Sequence, residues 1–175
     1  MAMLSQIQYP EFDLTEIING EEIVGPSPFS YHQQIVFDFG LYLRLHVDAL
    51  GLGRVCISPL DVIFEEGVNV LQPDIIFVRK ENLAIIQDWI RGVPDLVVEV
   101  VSKGSVSKDM ATKKDIYQKY QVPEYWIVIP AMEAVQVFVL EDGVYRLHSF
   151  AEGEGRVRSM VVEGFELDIK KLLQP

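Results

Sequence analysis

Apolar positions between Ile35 and Leu50 recur at steps of three and four residues: Ile35, Val36, Phe39, Leu43, Val47 and Leu50. That spacing predicts an amphipathic helix from Ser30 to about Leu50. Ser30 with Gln33 forms a capping-box signature at its start, Gly40 is a tolerated weakness inside it, and Gly51 and Gly53 stop it. Ahead of it, Ile17-Ile18-Asn19-Gly20-Glu21-Glu22-Ile23-Val24 predicts a short hairpin turning at Asn19-Gly20. Residues 1–14 show no period and are expected to be irregular, and Pro26 and Pro28 mark a loop.

Beyond the helix the pattern changes to strand-length apolar runs. Strands are predicted at Val55–Phe64 and at Asp74–Val78, the second announced by Pro73. Residues 80–93 read as a mixed connection with a short helical turn. Leu96–Val101 is apolar on both faces, so it needs cover on both sides, as at the centre of a mixed sheet. A helix over Ser107–Gln121 ends at Val122-Pro123, and "EYWIVI" (Glu124–Ile129) returns at once as a strand. A strand, a helix and a second strand in that order form a crossover unit, which demands a parallel pair. Ala134–Leu140 and Gly143–Phe150 predict a hairpin around Glu141-Asp142-Gly143. Met160–Val162 is expected as a last strand and Ile169–Leu173 as a short terminal helix. No linker interrupts the series, so residues 1–175 are expected to form a single α/β domain with a mixed sheet, a flanking N-terminal helix, a crossover helix and an antiparallel C-terminal extension.

Composition narrows the classes. The 175 residues are 49% hydrophobic and 23% charged, without repeats or low-complexity tracts, which fits a globular core. The longest apolar runs are strand-sized, too short to span a bilayer. No basic region followed by an apolar stretch opens the chain, so no secretory signal is expected and the cytoplasm is the default location. Cys56 is the single cysteine, which excludes an internal disulfide or a cysteine–zinc cluster and makes a small core hydrophobe its expected role. The net charge of −11 and the lack of a dense Lys/Arg block argue against tight binding to bare duplex. A bound cation reverses the local field, so a metal-dependent site acting on phosphodiesters stays open.

One position breaks the apolar run. Glu99 shares a strand face with Val97 and Val101, and an unpaired buried carboxylate costs several kcal/mol, so it must be neutralised, paired or bound to metal. The next helix supplies a partner. At about 100° per residue, Met110, Ile116, Tyr117 and Tyr120 fall on one face, and Lys113 lies in its middle, roughly 20° from Tyr120. Lys108, Lys114 and Lys119 point elsewhere. A metal would need a second acid. Asp95 lies four residues before Glu99, about 13 Å along the strand, which is too far for one Mg²⁺, and it suits a turn after Pro94. Asp74 opens a separate strand. If that strand pairs with Leu96–Val101, the two carboxylates become cross-strand neighbours at roughly 5 Å between Cβ atoms. Asp61, in "PLDVIF", is a third strand acid suited to an outer position. Hard oxygen donors favour Mg²⁺ or Mn²⁺ over zinc.

The order Asp74, then "VVEVVS" with Glu99, then Lys113 on the following helix resembles the PD-(D/E)XK nuclease superfamily. More closely, "PSPFSYHQQIV", "QPDIIFV", "PDLVVEVVS" and "KDMATKKDIYQKYQVPEYWIVIP" resemble the Uma-two family of restriction-endonuclease-like proteins, over roughly residues 15–173. The resemblance implies the restriction-endonuclease-like fold. It also implies a site in which Asp74 and Glu99 bind the metal and Lys113 positions the attacking water. It departs from the wider superfamily at Val101, where the usual lysine would stand two residues after the glutamate. In Uma-like sequences the lysine is moved to the helix, and the helix-wheel argument reaches the same Lys113 independently. The implied activity is metal-dependent hydrolysis of phosphodiester bonds in DNA, by a homodimer whose paired sites would cut two strands; the acidic net charge makes weak DNA capture the expectation.

Plainer readings stand beside these. Glu99 and Lys113 can form a structural ion pair, and Asp74 can be an ordinary acid at a strand start. His32, in the first turn of the first helix, suits a cap or surface position as well as a place lining the site. His46 and His148 suit structural roles, Tyr125 and Trp126 suit core packing, and Arg156 with Arg158 are too few for a nucleic-acid patch. The rival for the whole chain is a non-catalytic binding or assembly module that keeps the fold and turns its acidic surface toward protein partners.

Overall fold

The structure, a computed structural model, describes residues 14–25, 27–101 and 108–174. The expected irregular segment up to Asp13, the Pro26 loop position, the Ser107 helix start and the Met110 side chain lie outside the described residues. Strands β1 (Thr15–Ile18) and β2 (Glu21–Val24) come first, followed by helix α1 (Ser30–Leu50), β3 (Gly53–Ile57), β4 (Val62–Glu65), β5 (Asn69–Leu71) and β6 (Ile75–Arg79). Next are β7 (Ile90–Arg91), β8 (Leu96–Val100), α2 (Lys108–Lys119), β9 (Glu124–Ile129), β10 (Ala134–Glu141) and β11 (Val144–Glu152). The chain ends with β12 (Arg156–Arg158), β13 (Glu166–Asp168) and α3 (Ile169–Leu173).

A six-stranded sheet in the order β11-β10-β9-β8-β6-β3 forms the centre, and a five-stranded sheet β2-β1-β5-β4-β7 lies beside it. Only β8 and β9 run parallel in the large sheet, as the α2 crossover requires. One face of this sheet carries Ile75, Phe77, Leu96, Val98, Trp126, Val135 and Val137 under α1 and α3. The apolar side of α1 (Ile35, Val36, Phe39, Leu43, Val47) packs there, each side chain contributing roughly 1.5–3 kcal/mol by leaving water. The other face carries Val97, Val101, Tyr125 and Ile127 under Ile116 and Tyr117 of α2, and Ile18 and Leu71 of the small sheet join that cluster. The small sheet therefore covers the same face as α2, and the two meet over β8.

Four expectations are corrected. The single strand Val55–Phe64 is two strands in different sheets, because Pro59 has no N–H for a ladder and the chain turns there. Met160–Val162 is not a strand: the amides of Met160 and Val161 donate to the Glu124 carboxylate instead, at 2.6 and 2.9 Å, and the pairing falls to β12 and β13 on either side. The Ser30–Gln33 capping box does not form. Phe29 is the N-cap, without a side-chain bond, and Ser30 already lies inside the helix. Cys56 is half-buried rather than a core residue. The α1 stop is as expected, with Gly51 in the left-handed region at φ 63°. Gly53 has a different reason to be glycine: a Cβ there would lie 2.1 Å from the Val78 carbonyl oxygen.

Candidate functional site

Strand β6 pairs antiparallel with β8 through Ile75↔Val98, Ile76↔Val97 and Phe77↔Leu96. One further step of that register sets Asp74 across from Glu99, on the face covered by α2 and the small sheet. Asp74 is fixed at both ends. Its backbone carbonyl accepts the Ser58 N–H at 3.0 Å, and its Oδ2 accepts the Val100 N–H at 2.8 Å. A strand-end acid that caps a neighbouring strand's amide has little freedom to turn away.

Lys113, on α2, reaches Glu99 Oε1 at 3.2 Å, and one turn further on the Tyr117 hydroxyl donates to the same oxygen. The other described lysines of α2 go elsewhere: Lys114 Nζ lies 3.4 Å from the centre of the Phe138 ring, and Lys119 faces Glu65 and Tyr120. The side chains of Glu99 and Lys113 are 12% and 14% exposed, a pair nearly out of water. Burial pushes the Glu99 carboxyl up to about 7; Lys113 and Tyr117 pull against this, and the charges of Asp74 and Glu16 add to it. Burial by itself would depress the Lys113 ammonium, but the carboxylates of Glu99 and Glu16 outweigh it and hold its pKa above the usual lysine value.

Glu16 was not a candidate from the sequence. It lies on β1, and its Oε1 is 2.8 Å from Lys113 Nζ, closer than Glu99. The same oxygen accepts the Gln72 N–H at 2.7 Å, and the Gln72 side chain donates to Asp61 Oδ1 at 2.8 Å. Asp61 therefore stands behind the cluster, linked through Gln72. Alternation along "TEII" was the available signal, since Ile18 is buried and Glu16 shares its face.

His32, from the first turn of α1, places Nε2 3.3 Å from Asp74 Oδ2. The bond to Asp74 raises its pKa above the ordinary histidine value, against burial, with smaller help from the Asp74 charge, the Val100 backbone and Glu99. Its Nδ1 is buried with no hydrogen-bond partner among the described residues. Of the remaining residues weighed from the sequence, Tyr125 packs on Tyr117 beside the cluster and the others lie apart. Asp95 accepts the Arg79 N–H and the Asn82 amide, His46 contacts the Glu163 carbonyl, and Tyr125 and Trp126 are fully buried.

Among the described residues, the hydrogen bonds to the Asp74 carboxylate fall on Oδ2 and those to Glu99 fall on Oε1. Among these residues Asp74 Oδ1 and Glu99 Oε2 have no hydrogen-bond partner and are hard donors on neighbouring strands. Glu124 shows the contrast. It is also buried, but both oxygens are taken, by Trp126 Nε1, Ser159 Oγ and two backbone amides, so it is a structural carboxylate. Among the described residues no three His, Cys, Asp or Glu side chains form a ready-made metal cage. A cation on Asp74 and Glu99 would complete its shell with water and substrate oxygens, as Mg²⁺ does where it binds through one or two carboxylates. The donor set fits Mg²⁺ or Mn²⁺.

No curated protein gives a significant match to the chain. Among solved structures it is similar to the crystal structure of "a putative nuclease belonging to DUF820" from Anabaena variabilis ATCC 29413, with TM-score 0.78 and 19% identity over 94% of this chain and 93% of that one. At that identity the likeness establishes the fold, a restriction-endonuclease-like one. The family model described as "Uma2: Putative restriction endonuclease" matches residues 6–170, nearly the whole sequence, and the chain belongs to that family.

Proposed function

We propose that this protein is a metal-dependent endonuclease that hydrolyses phosphodiester bonds in DNA, acting in the cytoplasm as a homodimer whose two sites address two strands. The observation that carries the reading is the pair of open oxygens, Asp74 Oδ1 and Glu99 Oε2, on adjacent strands beside a buried lysine. A structural ion pair would need Glu99 and Lys113 only; Asp74 would then serve the Val100 N–H and His32 alone, through Oδ2, and its place beside Glu99 would have no part in the pair. Family membership and fold support the nuclease class.

Asp74 and Glu99 would hold the cation. A divalent cation bound there supplies Lewis acidity: it makes water a better nucleophile and offsets negative charge building on the phosphoryl oxygens. Lys113 has three N–H donors, two of them engaged by Glu16 and Glu99. The third has no partner among the described residues and would orient the attacking water or meet charge on the phosphoryl group as it develops. Val100 N–H and His32 hold the Asp74 carboxylate in register so that Oδ1 keeps its place.

Calorimetric titration of Mg²⁺ and Mn²⁺ into wild type and Glu99→Ala tests the reading. Binding in wild type that disappears in Glu99→Ala is the expected result. A folded wild type that binds neither metal rejects it, and the acidic binding module becomes the better account. Sedimentation showing a monomer at all concentrations removes the dimer from the proposal without touching the site.

A further inference from the structure

Among the described residues, Glu16 and Glu99 pair with Lys113, and Glu16 makes the shorter contact although it belongs to a different sheet. Its Oε1 lies 2.8 Å from Nζ, against 3.2 Å for Glu99 Oε1. Glu16 is itself anchored away from the strand pair that carries Asp74 and Glu99, because the Gln72 N–H holds it at 2.7 Å and Gln72 is tied to Asp61. The ammonium is thus suspended between the small sheet and the large one. An ammonium left with one carboxylate partner in a nearly dry site would settle against both of that partner's oxygens, since each added N⁺–H···O⁻ bond is strong and short there. Glu99 Oε2, which has no hydrogen-bond partner among the described residues, is the one that would be covered.

We propose that Glu16 is the positioning residue of this site: it draws the Lys113 ammonium toward the small sheet, so that Glu99 keeps one carboxylate oxygen free for a divalent cation. The assignment deepens the metal-dependent reading above and rests on it. It makes the N-terminal hairpin part of the site, although Glu16 touches neither metal nor substrate. Glu16 acts through Lys113, and its influence on metal binding must depend on that lysine being present.

A double-mutant cycle with Mn²⁺ as the probe reads this dependence in the full chain, comparing wild type, Glu16→Gln, Lys113→Met and the double variant by calorimetry. Glu16→Gln should weaken Mn²⁺ binding about tenfold or more in the wild-type background and less than about threefold in the Lys113→Met background. Equal losses in both backgrounds would mean that Glu16 acts as a bare charge or as a ligand, and would overturn the proposal. A second readout needs no metal. In apo protein labelled with ¹⁵N-lysine, the Lys113 ammonium resonance, assigned by its loss in Lys113→Met, should move in Glu16→Gln. An unchanged resonance overturns the positioning role. A wild type that binds no Mn²⁺ ends the metal reading instead, so the two failures are told apart. Thermal melts of each variant confirm that the fold is retained; if Glu16→Gln does not fold, Glu16→Asp, which keeps the charge but shortens the reach to Lys113, replaces it in both backgrounds, with the larger loss again expected where Lys113 is present.

Discussion

The Tyr117 hydroxyl and Lys113 Nζ donate to the same atom, Glu99 Oε1, from positions one helical turn apart on α2. A tyrosine buried this deeply holds its proton: burial first, then the Glu99 charge, raises its pKa well above the usual value. It therefore serves Glu99 as a neutral donor. Tyr117→Phe keeps the ring that packs on Phe64 and Tyr125 and removes only that donor. A hydrogen bond to a charged group contributes about 1.5–3 kcal/mol, and one between neutral groups about 1. The variant should lose the larger amount at pH 8, where Glu99 is mostly ionised, and the smaller amount at pH 5. Urea titrations at the two pH values check the difference, and equal losses would contradict it.

The raised Glu99 pKa fixes the sign of a second effect. A carboxyl that titrates near 7 in the fold and near 4.5 when unfolded binds its proton more tightly in the native state. Its contribution to stability is fully present below about pH 4.5 and is lost as pH rises through about 7. His32, raised from 6.5, acts in the same direction: its contribution is present below 6.5 and is lost above that, as pH rises through its folded value. Apo protein should therefore melt lower at pH 8 than at pH 5, with Glu99 responsible for up to roughly 3 kcal/mol. Glu99→Gln, which cannot titrate, should flatten the curve between pH 5 and 7 and leave the weaker His32 slope. Saturating Mn²⁺, which needs the ionised carboxylate, should restore wild-type stability at pH 8 and do little at pH 5.

Lys113→Ala removes one member of a buried pair and leaves Glu99 poorly compensated, a change that typically costs about 3–5 kcal/mol. Part of that loss is charge and part is the packed lysine stem. If Asp74 and Glu99 share a cation, Mn²⁺ replaces the missing positive charge, and it should raise the melting temperature of Lys113→Ala more than that of wild type. Thermal melts with and without Mn²⁺ decide this. No metal effect on either protein would leave a purely structural ion pair.

These residues show how much of the site was legible from sequence. Glu99 could be found because it interrupts an apolar strand, and Lys113 because a helical wheel turns one lysine of four toward the core. Asp74 could be placed only by assuming that its strand pairs with the Glu99 strand, a step that β6 and β8 do take. Glu16 escaped because alternation along "TEII" places it only on the face of Ile18, while its partner Lys113 is set by where the second sheet docks, which no local period encodes. The same limit explains the strands that were missed. Asn69–Leu71 and Ile90–Arg91 are three and two residues long, too short for alternation to register, and exist through their pairing partners. The ribbon near Met160 was misplaced because a distant carboxylate, Glu124, claims the amides that a strand would have used.

Activity provides the last test. With Mn²⁺ or Mg²⁺ the protein should nick or cut DNA slowly, and faster at low ionic strength, because a net charge of −11 gives little help in capturing a polyanion. Glu99→Gln and Asp74→Asn each keep side-chain shape and remove a charge that would hold the cation, so both should abolish cleavage and metal binding together. Lys113→Met keeps much of the apolar stem; it should lower kcat by far more than it lowers Mn²⁺ affinity, since the lysine acts on the water and the developing charge. Glu124→Gln is the matched control: it alters a buried carboxylate whose oxygens are already bonded to the protein, and it should change stability while leaving kcat of the folded fraction intact. Cleavage that survives both Glu99→Gln and Asp74→Asn would arise from another site or a contaminant. A folded wild type that binds no metal and cuts no DNA would leave the acidic surface, rather than the carboxylate pair, as the functional part of the molecule.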